Sequence, residues 1–380
     1  MSGPVMIAAG GTGGHIFPAV ALAQALAARG RGVAFVTDAR GAALGADKLG
    51  LPATATCHTV SAGRLGGGLL RSLRGGVDLL SGTFAAHRLI RRIRPSLAVG
   101  FGGYPSVPPL LAAGLAGVPT ILHEQNAVLG CANRRLGRGA SAFALSFAAT
   151  RGMEAFAGAP AEVVGNPVRA DIAALRDRPY VPPRGAIELL IMGGSLGAHV
   201  FAEIVPAAFA TLDPALRRRF RITQQCRKED IDATRTAYRA LDMAVELAPF
   251  FDDVPARLAR AHLVVCRAGA STVAELTTAG RPALYVPYPS AADDHQTANA
   301  RAIEATGGAW VLPQPEFTAG ALAGWLEAAA EEPETLAQVA GAARAAAHPD
   351  AAERLADMVE ARLPANGGSG NGNGLAEAAE

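Results

Sequence analysis

Residues 6–18 read MIAAGGTGGHIFP, and residues 187–209 read IELLIMGGSLGAHVFAEIVPAAF. Each is an apolar strand-like run, a glycine pair, a hydroxyl residue, more glycine and then a helix pattern. GGTGGHIF and GGSLGAHVF match with a one-residue offset. A strand that ends in a glycine turn and feeds a helix opens a doubly wound α/β domain. Its recurrence predicts two such domains in one chain.

The rhythm continues outward from both copies. GVAFVTD (32–38), SLAVGFGG (96–103) and PTILHEQN (119–126) read as buried strands that end in polar residues or glycine. LVVCRAGASTVAEL (263–276) and RPALYVPYP (281–289) supply strand, helix and strand in the second half. Alternation of this kind predicts parallel sheets covered on both faces. The fold class is α/β: two doubly wound, Rossmann-like domains facing a cleft. The join falls near GNPVRADI (165–172), where glycine, asparagine and proline break regular structure. The division is 1–166 and 167–346. A closing helix within 347–363 is expected to pack back on the first domain, and the Gly/Asn-rich tail 364–380 reads as disordered.

The chain has 380 residues, half of them apolar, and a net charge of +2. That length carries two cores. So small a charge argues against nucleic acid as the main partner. Cys57, Cys131, Cys226 and Cys266 stand far apart in sequence, so neither a zinc site nor a disulfide framework is expected. A reducing cytosol suits them. The chain enters a strand at once, so no signal peptide is expected, and no apolar run is long enough to span a bilayer.

The glycine turns carry the chemistry. A strand–turn–helix aims free N–H groups and the positive helix end at one point, where phosphate fits. A turn needing positive φ is the plainer reading, but four glycines around Thr12 exceed that need. The dinucleotide fingerprint fails, because its third glycine would fall on Ile16. Asp38 at a strand end reads as solvated. FGGYPS (101–106), with Gly102, Gly103 and Tyr104, is a second turn on the same rim. In GGSLGA (193–198), Ser195 suits either a helix cap or a phosphate contact. Thr272-x-x-Glu275 reads as a capping box, or else Glu275 accepts from a ribose diol. HEQN (123–126) and DDHQTANA (293–300) offer groups for sugar hydroxyls, with a polar loop and a polar helix start as the plainer readings. Asp230 and Asp232 read as a solvated helix face, so no metal site is expected. Ser61–Pro95 holds seven arginines among apolar residues, which suits either a surface helix or a patch resting on anionic lipid.

GGTGGH, FGGYPS, HEQN, GNPVR, GGSxGA, RAGASTVAE and DDHQxxNA, in this order, resemble the MurG family, bacterial UDP-N-acetylglucosamine:undecaprenyl-pyrophosphoryl-MurNAc-pentapeptide N-acetylglucosaminyltransferases. The resemblance runs from about residue 4 to 362. It implies the two-domain GT-B fold and an inverting, metal-independent transfer from UDP-GlcNAc to the C4 hydroxyl of lipid-linked MurNAc, without a cofactor. It also implies peripheral attachment to the cytoplasmic face of the inner membrane. Carried over by motif, Thr12, Gly13 and Gly14 belong to the donor–acceptor cleft, and His15 is a base or an acceptor-positioning group. Asn126 and Gln296 would hold the GlcNAc hydroxyls. Arg169 and Ser195 would contact the diphosphate, and Glu275 the ribose. Ala270, Ser271, Thr272, Val273 and Ala274 would line the nucleotide pocket, and the backbone of Phe251 would meet uracil. Leu196 departs from the family's usual glutamine in GGSQGA. Two alternatives stand beside this one: another GT-B enzyme (a glycolipid glycosyltransferase or a UDP-sugar epimerase), and a non-catalytic nucleotide-sugar-binding protein.

Overall fold

The computed structural model describes residues 3–11, 13–43, 45, 49–61, 69–194 and 197–363, with side chains in the helix Leu69–Ile93 described from residue 79 onward. Thr12, Ser195, Leu196, residues 62–68 and the tail 364–380 lie outside the described residues.

Two all-parallel sheets organise the chain. The first contains β1 (Val5–Ala8), β2 (Val33–Thr37), β3 (Thr56–Thr59), β4 (Leu97–Gly100), β5 (Thr120–Glu124), β6 (Ala142–Leu145) and β7 (Ala161–Val163), in the order β3-β2-β1-β4-β5-β6-β7. The second contains β8 (Ile187–Met192), β9 (Phe220–Gln225), β10 (Val245–Ala248), β11 (Leu263–Cys266), β12 (Ala283–Tyr285) and β13 (Trp310–Val311), in the order β10-β9-β8-β11-β12-β13. Val5 stands opposite both Val33 and Leu97, and Leu189 opposite both Ile222 and Leu263. Every residue of β1, β2, β4, β5 and β6 is buried, whereas the edge strand β3 is mostly exposed. Apolar layers cover both faces of each sheet. This is why the central strands read as unbroken apolar runs.

Both strand orders reverse between their first and fourth strands. The loops after β1 and β4, and after β8 and β11, therefore open at topological switch points. Those loops are the glycine turns. The chain crosses between sheets after residue 165 and again near residue 348. A Cβ on Gly165 would lie 2.2 Å from the Cβ of His348, so the two crossings pack on a bare backbone. The helix Ala351–Glu360 then adds Leu355, Ala356, Met358 and Val359 to the core beneath the helix Gly13–Ala28. Arg29 at the end of that first helix pairs with Asp357 at 2.6 Å and Glu360 at 3.0 Å.

Candidate active site

The glycines of the first loop answer to packing as well as to a ligand. Gly11 has φ +92°, a conformation natural to glycine. A Cβ on Gly10 would stand 2.6 Å from the Cβ of Pro105, so the turn after β4 presses on the turn after β1. A Cβ on Gly13 would meet the Phe17 ring at 2.8 Å. Their number is therefore not, by itself, a phosphate signal. Gly102 and Gly103 follow with φ of +74° and +73° and border the His15 ring; Tyr104 beside them is 39% exposed.

His15 sits in the first turn of the helix Gly13–Ala28. Its Nδ1 lies 3.1 Å from Gln125 Oε1, and Gln125 Nε2 donates to the Phe101 carbonyl at 2.8 Å. Burial pushes the His15 pKa below 6.5; the Gln125 bond, Glu124 and the Phe101 carbonyl oppose that shift, and His295 adds to it. His123, fully buried on β5 with Nε2 on the Gly165 carbonyl at 3.0 Å, is pushed down to about 4 by the same loss of water.

Asn126 and Gln296 are linked through Asn299, a residue that the sequence reading did not single out, and the backbone of Ala268. Asn299 is wholly buried; its Oδ1 accepts from Ala127 N at 2.8 Å, and its Nδ2 donates to Asn126 Oδ1 at 3.0 Å and to the Ala268 carbonyl at 3.1 Å. Asn126 in turn donates to Glu124 Oε1. Gln296 Oε1 accepts from Ala268 N at 3.2 Å and Tyr288 N at 3.0 Å, so the side chain can address a sugar hydroxyl only as a donor. Asp293, with φ +53°, pairs with Arg134 of the first domain. It makes an interdomain contact.

The capping-box reading of Glu275 does not hold. The helix Ala270–Ala279 starts at Ala270 with Gly269 at the cap position and no side-chain cap. Thr272 is already helical, and Glu275 lies in the second turn. Glu275 faces Arg169, with Oε1 and Nη2 3.5 Å apart. Burial raises the Glu275 pKa above 4.5, and Arg169 opposes that. Arg169 stands where the chain enters the second domain, with its guanidinium 5.4 Å from the centre of the Phe17 ring and a buried Nε without a partner among the described residues.

Other sequence expectations also change. The helix after β8 begins at His199 with Ala198 at the cap position. Asp38 is buried, not solvated, and caps Gly41 N at 3.1 Å. Asp232 is an exposed helix residue, but Asp230 is buried between His199 (2.9 Å) and Arg227 (2.7 Å). Val273 faces the core, leaving only its backbone for a ligand. The Phe251 ring is buried, with the Arg257 guanidinium 3.9 Å above it. Gln225, also not singled out, holds Gly193 N at 3.1 Å, the Gly194 carbonyl at 3.0 Å and the Pro249 carbonyl at 3.1 Å, tying the second glycine turn to the segment before Phe251.

Ser271 Oγ donates to the Gly14 carbonyl at 3.2 Å. The first turns of Gly13–Ala28 and Ala270–Ala279 therefore touch, and neither has an acidic residue in its first turn. Two positive helix ends and the Arg169 guanidinium converge where the sheets face each other, an arrangement suited to a diphosphate. His15 and Glu275 lie within the first two turns of these helices; Gln296 is bonded to Ala268 N just before the second of them, and Asn126 reaches the Ala268 carbonyl through Asn299. Gly193 and Gly194 are joined through Gln225 to Pro249, beside Phe251.

Two facing Rossmann-type sheets with glycine turns at both switch points define a protein of the GT-B architecture. Residues 5–144 match the glycosyltransferase family 28 N-terminal domain, and residues 188–355 match the family 28 C-terminal domain. A UDP-N-acetylglucosamine–N-acetylmuramyl-(pentapeptide) pyrophosphoryl-undecaprenol N-acetylglucosamine transferase of Rhodospirillum centenum is 53% identical over 98% of this chain and 96% of its own length. The one from Paramagnetospirillum magneticum is 51% identical over 96% and 98%. The crystal structure of Acinetobacter baumannii MurG superposes with a TM-score of 0.76 at 30% identity, covering 94% of this chain and 99% of that one. The chain belongs to glycosyltransferase family 28, and within it to the MurG transferases.

Proposed function

We infer that this chain transfers N-acetylglucosamine from UDP-GlcNAc to lipid-linked MurNAc-pentapeptide, a step of peptidoglycan synthesis. The near-full-length relatives that carry that name support the reaction. The convergence of two helix N-termini with Arg169 supports the placement of the donor diphosphate. Glu275 accepts from the ribose hydroxyls, and Asn126 and Gln296 hold the sugar. The backbone near Phe251 meets the base, and residues 270–274 line the nucleotide pocket. The acceptor enters over the turns at 10–14 and 102–104. Residues 1–166, with the helix in 347–363, form the acceptor side, and residues 167–346 the donor side.

The acceptor C4 oxygen attacks the anomeric carbon from the face opposite UDP. As that bond forms, the bond from carbon to the β-phosphate oxygen breaks, and its electron pair leaves with UDP. The hydroxyl proton passes to His15, which burial keeps neutral at pH 7. Charge growing on the diphosphate meets Arg169 and the helix ends. Inversion gives a β linkage.

The acceptor is a lipid, so the enzyme works at a membrane surface. Among the described residues no helix is long and apolar enough to cross one. Leu80 (74% exposed) and Phe84 (66%) share one face of the helix Leu69–Ile93, and Leu115 (72%) ends the helix packed beside it. With the arginines at 88, 91, 92 and 94, this face suits peripheral docking on the anionic cytoplasmic leaflet.

UDP release measured with and without the lipid acceptor tests the reading. Acceptor-dependent release is expected. Release or epimerisation of the donor without acceptor would mark a UDP-sugar epimerase, and binding without turnover a nucleotide-sugar-binding protein.

A further inference from the structure

The HEQN turn contributes a residue for which the mechanism above has no task. Gln125 is 2% exposed and is bonded to His15 and to the Phe101 carbonyl. Its amide has a forced orientation. The Phe101 carbonyl, 2.8 Å away, can only accept, so the atom facing it is the NH2 group. The other atom, Oε1, can only accept, and it faces His15 Nδ1 at 3.1 Å. His15 Nδ1 therefore carries a proton. In the neutral ring, Nε2 then holds the lone pair.

We propose that Gln125 is a positioning residue that holds His15 as the Nδ1–H tautomer and so makes Nε2 the ring's one basic atom. This rests on the reading of His15 as the base. When Nε2 takes the C4 hydroxyl proton, the ring becomes an imidazolium. Nδ1 keeps its proton on Gln125 throughout, and the electron pair of the broken O–H bond goes to the new glycosidic bond. Gly103 suits this arrangement: a Cβ there would stand 3.5 Å from Nε2 and 3.2 Å from Cδ2, so glycine keeps that edge of the ring clear. The charged or titratable groups facing His15 are Glu124 and His123 from β5 and His295 from the second domain. Gln125 itself is neutral at every working pH. It selects the tautomer without adding the charge that a carboxylate in the same place would bring.

The test uses the full-length enzyme with 15N-labelled histidine. Long-range proton–nitrogen spectra at pH 7.5 separate the two tautomers, and the His15 signals are those missing from His15→Ala. The wild type should show His15 protonated at Nδ1. Gln125→Met removes the acceptor at similar volume. It should move His15 toward the Nε2–H form and lower kcat by about tenfold or more, out of a general-base contribution of roughly 10²–10⁴, with UDP affinity retained. Gln125→Glu keeps an acceptor and adds negative charge. It should restore the Nδ1–H signal and move the acidic limb of kcat to higher pH. A wild-type ring protonated at Nε2, or a Gln125→Met ring with an unchanged tautomer, overturns the proposal whatever the kinetics. A wild-type Nδ1–H ring with full activity in His15→Ala upholds the tautomer lock and overturns the base reading alone.

Discussion

Ser271 donates to the one carbonyl in its neighbour's first turn that a proline leaves without an intrahelical donor. Pro18 lies inside the helix Gly13–Ala28 and has no N–H, so the carbonyl four residues back, that of Gly14, lacks its usual partner. Ser271 Oγ reaches it at 3.2 Å from the other domain. A defect in one helix thus becomes a contact across the cleft.

That pairing predicts a coupling. Ser271→Ala should cost about 0.5–1.5 kcal/mol, the usual net worth of such a bond. In a Pro18→Ala background the backbone N–H of residue 18 serves Gly14, and Ser271→Ala should cost almost nothing. A double-mutant cycle on denaturant unfolding measures this. Equal costs in both backgrounds would show that Ser271 and Pro18 are energetically independent and contradict the idea that Ser271 replaces the missing N–H.

Glu275→Gln removes the charged acceptor and touches no helix cap, because the cap position is Gly269. Hydrogen bonds to charged groups contribute about 1.5–3 kcal/mol, so UDP affinity should fall by roughly 10- to 100-fold with the fold intact. Calorimetric titration with UDP reads it. The buried carboxyl binds its proton more tightly folded than unfolded, since its pKa is raised from 4.5. Its contribution to stability is present below pH 4.5 and lost as pH rises through the folded pKa. Glu275→Gln should therefore be no less stable than wild type at pH 7. Unchanged UDP affinity would leave Glu275 with a role in the fold alone.

The acidic limb of kcat should lie below pH 6.5, because burial lowers the His15 pKa. The neutral, active ring persists above that folded pKa and is protonated below it. His15→Ala should lose roughly 10²–10⁴ in kcat and lose this limb, with UDP affinity near wild type. Profiles of kcat against pH under saturating donor and acceptor decide. A slow variant that keeps the same limb would move the base elsewhere.

Membrane docking should depend on exposed side chains that do not support the core. Leu80→Ser with Phe84→Ser should reduce binding to anionic vesicles at least about tenfold, since burying one such side chain is worth about 1.5–3 kcal/mol. Gln at 88, 91, 92 and 94 should weaken it further, by about 1 kcal/mol per charge near the surface. Turnover on a short, water-soluble acceptor should stay unchanged in both variants. Equal losses on both acceptors would place these residues in the fold or the cleft.

The fold was legible because glycine turns after apolar strands mark switch points, and the same pattern occurs twice. The reasons behind individual residues were not. Gly10 is constrained by Pro105, which only the folded sheet brings near it. Thr272 matched a capping box in spacing, but a cap must be non-helical, and the helix had begun at Ala270. Asn299 shares a motif with Gln296, yet its meaning depends on Asn126, 173 residues away. Gln125 looked like a loop amide until Phe101 fixed which of its atoms faces His15. Spacing shows what a segment can form; polar partners drawn from another domain are set by tertiary structure.

The enzyme is expected to transfer N-acetylglucosamine onto lipid-linked MurNAc with inversion. The most direct measurement incubates the enzyme with 13C-labelled UDP-GlcNAc and the undecaprenyl-pyrophosphoryl-MurNAc-pentapeptide acceptor and determines the product's linkage by NMR. A single GlcNAc joined β to the C4 oxygen of MurNAc, formed in step with UDP release, is predicted. An α linkage, attachment at another hydroxyl, or consumption of donor without a lipid-linked disaccharide would contradict the account.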